Sequence, residues 1–175
     1  ALDSAFSEVG FCICNNAYSD LEIREDAFAA SRAFHKLPET VKASYAINSA
    51  HRGYISPKSS TSRTSSVTKV QRPNTSESFM LMHEVLENDP RLGKPLQGPN
   101  QWPQEVPGFQ DKMTAYWQDV NCTARKLAKL CLKALGIEIG LYEVWFRQPT
   151  EFLRLLHYWP EVPEEPQDSF GSAPH

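Results

Sequence analysis

Apolar residues step by four or three along residues 109–135, at Met113, Trp117, Val120, Ala124, Leu127 and Cys131. That spacing keeps them on one face of a helix, and Gly136 supplies a natural stop. The same spacing at Ile23, Ala27, Ala30 and Phe34 predicts a helix over 21–36. Ahead of it, Ser19 and Glu22 stand in the capping-box arrangement, placed to satisfy the orphan amides of the first turn. Leu37 and Pro38 end that helix, and Pro38 suits the first turn of a second, short one reaching Tyr45. Compact apolar runs bounded by turn residues predict strands over 9–14, 77–83 and 152–158. Residues 1–8 read as the end of a helix and 141–146 as another short one.

Between these elements the pattern lapses twice. From Ser59 to Thr68 only Arg63 and Val67 are neither Ser nor Thr. Such a segment has little to bury and competes with its own backbone for hydrogen bonds. The segment over 56–76 should therefore be an exposed loop or a weak edge strand, and either a surface loop or a lid over a cleft. Residues 87–107 are rich in Pro and Gly and predict irregular structure. The whole is an α+β pattern, helix-rich over 1–150 with a strand beginning near 151.

Composition narrows the function classes. A chain of 175 residues can bury one core. Its net charge of −3 is spread along the sequence, without the basic face a nucleic-acid binder carries. No apolar run approaches the ~18 residues of a membrane span, and no leader pattern precedes the first element. The first residue is Ala1 rather than Met, which suggests upstream sequence. Cys12, Cys14, Cys122 and Cys131 show no C-x-x-C spacing, so reduced, buried thiols of a cytoplasmic protein are expected. No phosphate-binding loop, G-x-S-x-G elbow or H-E-x-x-H helix occurs. His35, His51 and His83 are scattered. His157 and Tyr158 end a predicted strand and point to opposite faces, and His175 follows Pro174 in an extended setting. On spacing alone, His157 is a satisfied core or surface histidine and His175 a tail residue.

Seven short motifs in a fixed order add to this. They are Val-Gly-Phe-Cys-Ile-Cys-Asn at 9–15, Phe-His-Lys-Leu-Pro-Glu-Thr-Val-Lys at 34–42, Arg-Gly-Tyr at 52–54 and Glu-Ser-Phe at 77–79. Asn-Gln-Trp-Pro at 100–103, Leu-Arg-Leu-Leu-His-Tyr-Trp-Pro at 153–160 and Ala-Pro-His at 173–175 complete the set. Together they resemble the isopenicillin N synthase-like family of non-haem Fe(II)/2-oxoglutarate-dependent oxygenases, although Ser76 stands where that family often has Lys.

The resemblance implies a helical N-terminal region followed by the first strands of a double-stranded β-helix, or jelly-roll, core. Most of that core would lie outside this chain. It implies Fe(II) held by two histidines and a carboxylate, with 2-oxoglutarate and dioxygen as cosubstrates. His175 would be the first metal ligand, with an Asp two residues on. Tyr158 matches a tyrosine facing the cosubstrate pocket, and His157 and Leu155 take strand positions that approach substrate or cosubstrate in some relatives. Asn100 to Pro103 would be structural. The implied reaction oxidises a small-molecule substrate, usually by hydroxylation, while 2-oxoglutarate becomes succinate and carbon dioxide. A truncated, non-catalytic module and an iron oxidase that does not use 2-oxoglutarate are the alternatives. The substrate and oligomeric state are not indicated.

Overall fold

The computed structural model describes residues 2–15, 17, 20–59, 72–160 and 170–172. Helices and antiparallel strands are mixed, in two compact units. One comprises Ala1–Ala30 and Val106–Thr150, the other Ser31–Glu105 and Glu151–His175.

In the first unit, a single helical turn α1 (Leu2–Ser4) runs into a π-helical turn, Ala5–Val9, closed by Gly10 in the left-handed conformation. Helix α2 (Leu21–His35) follows and continues into the second unit. Its first turn is capped by Asp20, whose Oδ1 accepts the Glu22 amide at 2.8 Å. Ser19 of the predicted capping box lies outside the described residues. Ala27, Ala30 and Phe34 are buried along one face, as their spacing predicts. The long helix α4 (Phe109–Ala134) buries Phe109, Met113 and Leu132. Its predicted stripe weakens along its length: Trp117, Val120, Leu127 and Cys131 are partly exposed and Ala124 is exposed. Gly136, at φ +70, turns the chain out of it. Helix α5 (Gly140–Trp145) buries Tyr142, whose ring lies under Lys129 Nζ, and Lys129 also pairs with Glu143 at 3.0 Å.

Two expectations fail in this unit. The strand predicted over 9–14 does not form: Phe11 to Cys14 have no regular structure, and Ile13 is 87% exposed. An apolar run becomes a strand only where a ladder partner takes its amides, and none of the described residues pairs with it. The thiols are not buried either, since Cys12, Cys14 and Cys122 are exposed and Cys131 half-buried.

The second unit carries the sheet. After Pro38, whose extended backbone caps it, comes the short helix α3 (Glu39–Ser44). Strands β1 (Gly53–Ile55), β2 (Glu77–Met82) and β3 (Phe152–His157) form an antiparallel sheet in that order. Register places Tyr54 beside Phe79 and Phe79 beside Leu155, with Glu77 opposite His157. Alternation therefore puts Tyr54, Glu77, Phe79, Leu81, Leu153, Leu155 and His157 on one face. Phe34 covers that face, edge-on to Phe79 at 4.6 Å between ring centroids and to Tyr54 at 6.0 Å. On the other face of β3, Phe152 and Leu156 are exposed. The central strand β2 is buried throughout.

Candidate functional site

The motifs at 34–42, 52–54, 77–79 and 153–160, far apart in sequence, meet in the second unit, around Glu77. Its side chain is fully buried, and both carboxylate oxygens are used. Oε2 accepts Lys42 Nζ at 2.5 Å and also the Tyr54 hydroxyl; Oε1 accepts His157 Nδ1 at 2.8 Å. Burial alone would push the Glu77 carboxyl up. Hydrogen bonds from Lys42, Tyr54 and His157, with the Lys42 charge, outweigh it and hold the group below its ordinary range. Tyr54 is displaced the other way, upward, by burial and by the Glu77 carboxylate. Glu39 adds a second carboxylate to Lys42 at 3.2 Å, and Lys42 Nζ stands 5.1 Å from the centre of the Tyr54 ring. A buried anion with three donors is a fully satisfied network.

Beside it lies His35, the last residue of α2. Its Nδ1 donates to the Ser31 carbonyl at 2.9 Å, while its buried Nε2 has no hydrogen-bond partner among the described residues. Burial pushes its pKa down. The His35 and His157 rings are 5.2 Å apart, and the His157 ring also meets Trp159 at 4.8 Å.

The Arg-Gly-Tyr and Asn-Gln-Trp-Pro motifs brace this cluster. Arg52, fully buried, donates to the carbonyls of Ala50, Leu96 and His83, fixing the irregular segment after β2. Gly53 has φ +121, and a Cβ there would meet Gln101 Nε2 and the Tyr45 carbonyl, each at 2.3 Å. Gln101 Nε2 donates to the carbonyl of Arg52 at 2.7 Å and of Ala46 at 3.0 Å. Asn100 accepts the Met82 amide and donates back to the Met82 carbonyl, so it completes the end of β2 as a strand neighbour would. Asn100 to Pro103 is thus structural in this fold.

The expected site residues divide between the two sides of β3. Leu155 is buried, paired with Phe79, and His157 is half-buried on the same face. Tyr158 falls on the opposite side, 48% exposed, with its ring against Gly171. The segment carrying Gly171 is held by hydrogen bonds from the Thr75 amide to Phe170 and the Ser76 amide to Gly171. His175 lies outside the described residues, as does most of the Ser/Thr-rich loop. Among the described residues no group of three His, Cys, Asp or Glu could hold a metal, so they do not themselves form an iron site. Sequence reasoning passed over Glu77, Lys42 and His35 as a cluster. The signal was weak: a Lys and a Glu 35 residues apart, each inside a different motif.

A family model described as the N-terminal region of non-haem dioxygenase in morphine synthesis matches residues 1–105. The 2-oxoglutarate-dependent dioxygenase eupC of Phoma sp is 30% identical over 171 residues, covering 88% of this chain and 50% of that protein. Azadirone synthase LFS of Melia azedarach is 28% identical over 174 residues, covering 94% of this chain and 50% of its own length. The chain thus spans about half the length of the curated relatives it matches. The same fold occurs in a 2OG-Fe(II) oxygenase family protein from Caulobacter crescentus, with a TM-score of 0.68, 22% identity and coverage of 83% of this chain and 46% of that one. A full-length Neurospora crassa protein in complex with alpha-KG and thymine matches at a TM-score of 0.62 and 22% identity, over 80% of this chain and 43% of its own. With more than half of its residues inside the family model, this chain belongs to the non-haem dioxygenase family, as part of its N-terminal region.

Proposed function

We propose that this chain is the N-terminal half of an Fe(II)- and 2-oxoglutarate-dependent oxygenase that hydroxylates a small molecule. The observation that carries this reading is that nearly the whole chain aligns with half the length of proteins described as 2-oxoglutarate-dependent dioxygenases. Geometry agrees with it. Strand β3 ends the sheet with Phe152 and Leu156 exposed on one face, as a first strand of a jelly-roll core would before its neighbours are added. On this reading residues 151–175 begin that core and 1–150 form the helix-rich region before it.

Iron and dioxygen would supply the oxidising power, and 2-oxoglutarate would be converted to succinate and carbon dioxide. The roles given to this chain are fewer. Tyr158 faces the cosubstrate and His175 is the first iron ligand, with the other two ligands downstream. Leu155 and His157 serve the pocket from the packed side of the strand that presents Tyr158. The Ser/Thr-rich loop over 56–76 helps choose the substrate.

Two experiments test this. The codons after His175 should encode an Asp two residues on; any other residue ends the assignment of His175. The protein extended through its downstream sequence should form succinate from 2-oxoglutarate only when Fe(II) is present. No succinate formation would favour a non-catalytic module, and substrate oxidation without 2-oxoglutarate an iron oxidase.

A further inference from the structure

We infer that Glu77 is a positioning residue for the cosubstrate pocket, acting on Tyr158 through His157 from the opposite face of the sheet. The inference rests on the oxygenase reading and on the role given there to Tyr158.

Glu77 and His157 form the last register pair between β2 and β3. Beyond that pair the ladder stops, so the direction in which the chain leaves β3 is set by side chains. His157 Nδ1 donates to Glu77 Oε1 at 2.8 Å, which fixes both the ring orientation and the nitrogen that carries hydrogen. His35 stands on one side of that ring and Trp159 also packs against it. With His157 and Trp159 held on one side, alternation sends Tyr158 to the other, where Gly171 leaves room for its ring: a Cβ at Gly171 would lie 2.7 Å from Tyr158 Cδ1.

The charge itself points the same way. A buried carboxylate is costly, and an apolar replacement of similar volume is often no less stable. Lys42 and Tyr54 already satisfy Oε2. The bond from Oε1 to a half-exposed histidine at an edge strand adds orientation rather than core. Among the described residues, the charged or titratable groups facing the pair are His35 from α2, Lys42 and Glu39 from α3 and Tyr54 from β1.

The test uses the protein extended through its downstream sequence, assayed with Fe(II), 2-oxoglutarate and dioxygen. Glu77→Gln leaves three donors around one acceptor oxygen and can fail to fold, so the decisive pair is His157→Leu and His157→Asn. His157→Leu should raise KM for 2-oxoglutarate about tenfold, as expected when one charge-assisted hydrogen bond that orders a binding residue is lost. It should weaken the visible absorption of the Fe(II)–2-oxoglutarate complex in step. His157→Asn keeps an N–H donor near the Nδ1 position and should restore both. A KM unmoved in folded His157→Leu, or moved equally in His157→Asn, would overturn the inference while leaving the oxygenase reading intact. Absence of turnover in the unmutated protein would overturn both together.

Discussion

Gly53 combines a positive φ of +121 with backbone and side-chain atoms 2.3 Å from where a Cβ would stand. Backbone atoms of Tyr45 cannot swing aside, so Gly53→Ala combines strain with overpacking and should cost about 2–4 kcal/mol. The denaturant midpoint of the variant reads that loss; a change within error would mean that the 45–46 and 101 segments yield. The buried titratable groups give a pH prediction with a fixed sign. His35 has a folded pKa below its ordinary 6.5, so its contribution is whole above that value and is lost as pH falls through the folded value. Glu77 is also lowered, from 4.5, so its contribution disappears in a second, more acid window. Unfolding free energy should therefore fall on acidification in two steps, the first missing in His35→Gln. A stability that rises between about pH 7 and about pH 5 would contradict the burial of neutral His35. None of this was legible in the sequence, where Lys42, Tyr54 and Glu77 are ordinary members of three separate motifs. A carboxylate's partners are set by register, and register is not written in local spacing.

Elements with their own periodicity were the most legible. Helix α2 and strand β2 end within one residue of their predicted ends, because an apolar stripe and a Pro or a full apolar run fix them locally. The failure over 9–14 is of the opposite kind: an apolar run carries no information about whether a partner strand lies alongside. Strand β3 shows both halves of the rule. It forms over Phe152–His157 of the predicted 152–158, yet only Leu155 is buried, while Phe152 and Leu156 face solvent on the side away from Phe34. The two sides should respond differently to substitution. Leu155→Ala removes a packed side chain beside Phe79 and should cost about 2–4 kcal/mol in chemical denaturation. Leu156→Lys in the 175-residue chain should leave that midpoint nearly unchanged and reduce binding of a hydrophobic dye, since it breaks an exposed apolar strip on an edge strand. Equal losses from the two would mean that both faces of β3 are packed.

The proposed iron site belongs to the scale of the whole molecule, because two imidazoles and a carboxylate would have to be brought together by a finished core. The described residues contain no such group, and His175 by itself offers Fe(II) one nitrogen against a full shell of water. A ligand that binds only the folded state adds RT ln(1 + [L]/Kd), about 2.7 kcal/mol at a hundredfold excess over Kd. Fe(II) with 2-oxoglutarate should accordingly leave the Tm of the 175-residue chain where it was. The same additions should raise the Tm of the protein extended past His175 by a few degrees, the shift per kcal/mol being smaller in a longer protein. Anaerobic thermal scans of both proteins, with and without Fe(II), make the comparison without requiring turnover or a known substrate. A clear Fe(II)-dependent rise in the 175-residue chain would mean that three ligands converge within it, and the proposal that two of them lie downstream would fall.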